Sequence, residues 1–166
     1  MNAPLDASAK TPPVTTPRRA KLDQSRLTNI AGYANTRASI EFVKGFKRNL
    51  GPLHLRAVEF SILVLADSNE GANQRQLGEA LEVSAPNVAI TLDRMAERGW
   101  VQRVRSTEDR RVQIIHLTPH GKQLLERAEK VVRKMDAEIT RNLSEGERLL
   151  LIELLLKVAR SGRSSV

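Results

Sequence analysis

The 166-residue chain has no cysteine. A disulfide framework and a thiol redox switch are both excluded. Aromatic residues make up only 3%, so a surface that stacks unpaired bases has few side chains to build from. No run is long and apolar enough to cross a bilayer, and the N-terminus lacks the apolar core of a secretory signal. A cytoplasmic protein with no membrane partner is expected. There is no glycine-rich phosphate loop and no nucleophile–base–orienter set. The chain is therefore read as a non-enzyme, with no catalytic residue and no cofactor. His116 and His120 are four apart, but one falls on an expected strand and the other beyond Pro119. No cysteine assists them, so ordinary hydrogen-bonded histidines are expected and no metal site.

What the chain does have is positive charge, a formal net +8. That balance favours a polyanionic partner, with a ribosome-associated or generally basic surface as the alternative. Residues 1–22 hold Pro4, Pro12, Pro13 and Pro17 among Ala, Ser and Thr, and end on Arg18, Arg19 and Lys21. They read as a flexible basic tail. Such a tail is either a solvated leader or an arm touching a nucleic-acid backbone; composition alone favours the leader.

The stretch from Gln74 to Gly121 organises the rest. It reads as a helix, a tight turn, a second helix and a basic two-stranded hairpin. The second helix spans Ser84 to Arg98, with Ser84 able to cap it and Pro86 tolerated in its first turn. Val88, Thr91, Leu92 and Met95 share one face, which is expected to be buried. Gly99 stops the helix by entering the left-handed region. Val101–Arg105 and Arg111–Leu117 carry β-branched residues, with Val112 and Ile114 alternating with Gln113 and His116. Arg103, Arg105, Arg110 and Arg111 cluster on this hairpin. The order is that of a winged helix-turn-helix, in which phosphate contacts set register and base edges set sequence choice.

The flanks read as helices. Residues 23–50 carry Leu27, Ile30, Ala34, Phe42, Val43, Phe46 and Leu50 at threes and fours, as one helix or as two broken near Gly32. Gly51-Pro52 ends the pattern. Leu55–Ala66 is an enclosed apolar helix, and Asn73 or Gln74 opens the first helix of the helix-turn-helix. Thr118 caps a long helix to about Leu143 with Pro119 in its first turn. Ser144 and Glu147 form a capping box before a last helix that is apolar almost all round. One chain of this size can hardly cover such a helix, so a homodimer built from the terminal helices is expected. A helix lying on a membrane surface is the lesser alternative. The fold class is mainly α (α+β). Residues 23–52 and 118–166 form the dimerisation region and 53–117 the winged domain.

Six fragments make the pattern specific: Gln76-Leu77-Gly78-Glu79-Ala80-Leu81, Val83-Ser84, Asp93-Arg94-Met95, Glu97-Arg98-Gly99-Trp100-Val101, Asp109-Arg110-Arg111 and Leu117-Thr118-Pro119-His120-Gly121. In this order and spacing they resemble the MarR family of bacterial regulators, over about Gly32 to Leu156. The resemblance implies a dimeric regulator of transcription, usually a repressor, on double-stranded DNA. It implies that Asp109 orients Arg111 at a wing tip entering the minor groove, where a narrow A·T-rich groove attracts arginine; a surface ion pair is the plain alternative. Glu82 stands where the family commonly has glycine, and Ala85 and Ile90 where it often has arginine. Asn87 and Thr91 remain as polar readers, Asn87 suited to adenine. Arg94 is expected to serve a phosphate or hold the wing, or to be an ordinary surface charge. The residues expected at DNA are Arg75, Ser84, Ala85, Pro86, Asn87, Thr91, Arg94, Arg105, Asp109, Arg110 and Arg111.

The same resemblance implies a small effector bound between the first, second and fifth helices and the winged domain. Tyr33, Arg37, His54, Arg56 and Phe60 fall near that region. Gly32-Tyr33 and Arg56-Ala57-Val58-Glu59-Phe60 also look similar to the branch controlling aromatic-acid catabolism. An Arg or His beside aromatics would suit an aromatic carboxylate; core packing and surface charge are the alternative.

Overall fold

The computed structural model describes residues 22–106 and 112–161. Contacts divide the chain into two units, Met1–Thr36 and Arg37–Val166.

In the first unit, α1 (Ser25–Thr28) is a single turn. Asp23 opens it, Oδ1 accepting from the Ser25 N–H at 2.9 Å. The Ser25 backbone and hydroxyl donors hold the Asp23 carboxyl below its ordinary pKa. The chain then breaks at Asn29–Ile30, and α2 (Ala31–Leu50) begins. Gly32, the expected break, lies inside α2. Short polar side chains explain the earlier break: the Thr28 hydroxyl donates to the Ser25 carbonyl at 3.1 Å, competing with the backbone ladder.

The second unit is built around α3 (Ala57–Ser68), where Ile62 and Leu63 are completely buried. A 3-10 turn at Gly51–Leu53 follows α2, and His54 leaves it left-handed at φ 51°. The α3 helix starts two residues later than its apolar pattern, because Arg56 is the extended N-cap. The Glu59 carboxylate accepts the Arg56 N–H at 2.8 Å. Asn73 and Gln76 cap α4 (Gln74–Leu81) reciprocally, each side chain accepting the other's N–H at 3.0 Å. After the turn comes α5 (Ala85–Glu97), with Val88, Thr91, Leu92 and Met95 buried as expected. Gly99, at φ +66°, ends it.

Strands β1 (Val101–Arg105) and β2 (Gln113–Leu117) pair antiparallel, Val101 opposite Leu117 and Arg105 opposite Gln113. The inward residues of β2 are Ile115 and Leu117, whereas Ile114 is half-buried. This phase differs from the expected alternation. An extra bond sets it: the Ile115 N–H donates to the Ala72 carbonyl at 2.8 Å, and Asn73 bridges to Ile114. The loop before α4 thus adds a one-residue third strand.

The Thr118 hydroxyl caps α6 (Pro119–Ile139), accepting from the Gly121 N–H at 2.9 Å. A Cβ on Gly121 would overlap the Trp100 carbonyl oxygen, so only glycine allows this approach of helix to strand. The helix stops four residues before the expected Leu143. There the Thr140 hydroxyl donates to the Asp136 carbonyl at 2.7 Å. Ser144 and Glu147 then form the capping box of α7 (Glu145–Ser161). The core joins α3, α4, α5, the sheet and α6 through Leu63, Leu77, Leu92, Ile115, Leu125 and their neighbours. Each such fully buried side chain contributes about 1.5–3 kcal/mol.

Candidate nucleic-acid interface

The turn between α4 and α5 sets the angle of the exposed helix. Glu82 is left-handed there, φ 54° and ψ 37°, where a Cβ costs roughly 1–2 kcal/mol. The Val83 N–H closes the turn on the Gly78 carbonyl at 3.0 Å. The first turn of α5 then faces outward: Ser84, Ala85, Pro86 and Asn87 are exposed, as is Ile90. The Ser84 hydroxyl makes no capping bond, contrary to expectation. The first amide donors of α5 therefore lack a side-chain acceptor. Free N–H groups and the positive end of the helix dipole are what a phosphate needs.

Two of the expected contact residues have partners within the chain. Thr91 is buried, and its hydroxyl donates to the Asn87 carbonyl at 2.8 Å. Its one hydroxyl donor is thereby committed to the helix backbone. Arg94 turns inward, Nη1 lying 3.5 Å from Oε1 of the fully buried Glu59. A buried carboxylate is stabilised by a nearby cation, and Arg94 supplies it across to α3. Sequence reading missed Glu59 as that partner. The signal was present: a lone carboxylate among Val58, Phe60, Ile62 and Leu63.

The hairpin is tied to α5 by Arg103, whose Nη1 lies 2.6 Å from Asp93 Oδ1. Arg105 is exposed on the same strand, and the Ser106 N–H donates to the Val112 carbonyl at 2.9 Å. Asp109, Arg110 and Arg111 lie outside the described residues. Arg75 stands exposed on α4, paired with Glu79 at 2.7 Å. That hydrogen bond, and then the Glu79 charge, raise the Arg75 pKa.

A separate cleft of about 460 Å³ opens between α2, the 3-10 turn and the start of α3. His54 and Arg56 line it, with Val43, Phe46, Lys47 and Arg98. Of the other expected effector residues, Phe60 packs against the core and Arg37 is exposed on α2. The Tyr33 hydroxyl donates to Gln24 Oε1 at 2.5 Å. Phe60 is half-buried against the core. Among the described residues, no cluster of three or more His, Cys, Asp or Glu is placed to hold a metal. No described helix is long and apolar enough to cross a membrane.

Comparison with known proteins agrees with this geometry. The sequence model of the MarR family matches residues 55–112. A curated protein of Thauera aromatica, assigned as the transcriptional regulatory protein for the hcr operon, is 33% identical over 101 residues, 61% of each chain. The matched stretch therefore spans less than two thirds of that relative. The transcriptional repressor CouR bound to a 23-mer DNA duplex is 33% identical, with TM-score 0.80, over 84% of this chain and 99% of that one. CouR bound to p-coumaroyl-CoA has the same identity and coverage and a TM-score of 0.74.

Proposed function

The chain belongs to the MarR family, and on that premise we propose that it is a ligand-responsive transcriptional repressor. It binds a pseudo-palindromic operator as a homodimer in the cytoplasm and carries out no catalytic step. The observation that carries the reading is the exposed, uncapped first turn of α5 beside a basic hairpin anchored to it through Arg103–Asp93. Ser84 and Ala85 are placed to offer backbone donors to phosphate, and Asn87 is the base reader. Arg105 and Arg75 supply phosphate contacts, and Arg111 with Asp109 and Arg110 the wing contacts.

The dimer follows from α7. None of its described side chains is buried, and Leu149, Leu150, Ile152, Leu154, Leu155, Leu156 and Val158 are 40–71% exposed. A contiguous apolar surface of that extent marks a protein interface. A two-fold pair sets two α5 helices about one DNA turn apart, roughly 34–36 Å. A structurally similar repressor binds p-coumaroyl-CoA, so the effector is assigned to the aromatic acids or their thioesters, with the cleft at His54 and Arg56 as its site. It acts by unequal affinity for the DNA-competent and incompetent states.

The test is selection of bound fragments from the source genome, followed by gel shifts across a salt series. The expected motif is an inverted repeat with half-site centres about 10 bp apart. Binding that shows neither a palindrome nor a fall with salt would refute the reading.

A further inference from the structure

One guanidinium separates two cavities. Arg98 follows α5 directly as its C-cap, and its backbone N–H bonds to the Arg94 carbonyl at 3.2 Å. Its Nη1 donates to the His54 carbonyl at 2.8 Å, and its Cζ lies 4.9 Å from the centroid of Trp100. On one side is the cleft that Lys47 and Arg56 also line. On the other is a cavity of about 510 Å³ bounded by Trp100, His120, Leu124 and Arg127. Both are lined by His54 and Arg98, and among the described residues no carboxylate lines either.

We propose that Arg98 is the effector-sensing residue: an anionic group entering the cleft takes its guanidinium from the His54 carbonyl, and the exchange moves the C-terminal end of α5. The proposal rests on the cleft being the effector site. A carboxylate or phosphate offers the guanidinium full charge attraction and a bidentate geometry that a single neutral carbonyl lacks, so an anion competes for it. The bond being exchanged holds the end of α5 to the turn after α2. His54 itself sits left-handed at φ 51°, a conformation that costs a non-glycine residue free energy and persists only while its contacts hold it. Loss of the Arg98 contact therefore favours a change of the turn as well.

The ligand chemistry follows from the walls. Val43, Phe46 and Leu55 take an aromatic or apolar body, and Lys47, Arg56 and Arg98 take an anion. That anion is the carboxylate of a free acid or the phosphates of its thioester.

The test titrates p-coumarate, neutral p-coumaramide and p-coumaroyl-CoA into the full-length protein bound to a labelled operator fragment. Anisotropy reads DNA release and calorimetry reads ligand binding. The wild type should release DNA at a concentration about tenfold lower for an anion than for the amide. Which of the two anions does so identifies its source. In Arg98→Gln that preference should vanish, and Arg98→Lys should retain part of it. A ratio between ligands is not shifted by a general loss of stability, and the Lys variant keeps the charge if the Gln variant fails to fold. If both variants keep the wild-type preference, or the wild type has none, the role of Arg98 is overturned while the effector site stands. If the wild type binds none of the three compounds, the effector site falls, and the role of Arg98 with it.

Discussion

Helices α3 and α7 begin in the same way and end in opposite environments. Each has a glutamate as its third residue that accepts the N–H of the N-cap at 2.8 Å, Glu59 from Arg56 and Glu147 from Ser144. Each continues as a largely apolar run. Yet Ile62 and Leu63 of α3 are fully buried, whereas Leu150 and Leu154 of α7 are 52% and 49% exposed. Apolar content alone does not say what covers a helix. For α3 the cover is the rest of the same chain; for α7 it is, on the proposed function, a second copy.

The largest expected contrast comes from matched truncations. Leu63→Ala should cost about 2–5 kcal/mol, because a cavity is left in a packed core. It should lower the chemical-denaturation midpoint at every protein concentration. Leu150→Asp with Leu154→Asp should leave the winged domain folded, as judged by the near-ultraviolet signal of Trp100. Sedimentation should then show monomers, and operator affinity should fall at least a hundredfold. A dimer of normal affinity would mean that α7 is covered by something else.

The second contrast lies in the charge each helix carries. Glu59 is fully buried with Arg94 at 3.5 Å. Arg94→Gln would leave the carboxylate with only the Arg56 N–H. Leaving a buried charge short of a partner costs several kcal/mol at full burial. Because Arg94 is 30% exposed, about 1–3 kcal/mol is expected. Glu59→Gln in the same background should restore part of the loss, since a neutral amide keeps the N-cap acceptor and removes the charge. Urea denaturation of the two single variants and the double variant measures the coupling; additive losses would show that the pair does not interact.

These contrasts also mark what could be read from the chain. The order of helices and the hairpin was legible because period, caps and stops agree locally: Gly99 after Glu97, Pro119 after Thr118, Glu147 after Ser144. The buried stripe Val88, Thr91, Leu92 and Met95 was legible for the same reason. Partners distant in sequence were not. Nothing local to Arg94 points to Glu59, 35 residues away, or to Asp93 as the anchor of Arg103. The phase of β2 depended on Ala72, which lies outside the hairpin altogether. Of the candidate site, the exposed start of α5 was legible as a helix beginning. The Arg98–His54 bond was not, because its acceptor is a backbone carbonyl that any residue at position 54 would offer.

The smallest effect should appear at the other glutamate. The Ser144 backbone donor, and then its hydroxyl, hold the Glu147 carboxyl below its ordinary pKa. A folded-state pKa below the unfolded value stabilises the helix start above the ordinary glutamate range. That contribution is lost as pH falls through the depressed folded value. Glu147 is fully solvated, so the change is confined to the first turn of α7 and screened by salt. A pH titration of the Ser144 amide by NMR should show its shift following Glu147, and Glu147→Gln should flatten the curve. The core around α3 should show no matching transition, because the Glu147 carboxylate is fully solvated and a surface charge of this kind is screened within about 10 Å at moderate salt. A simultaneous change at both would mean that the two helices unfold as one unit and that the contrast between them is one of exposure alone.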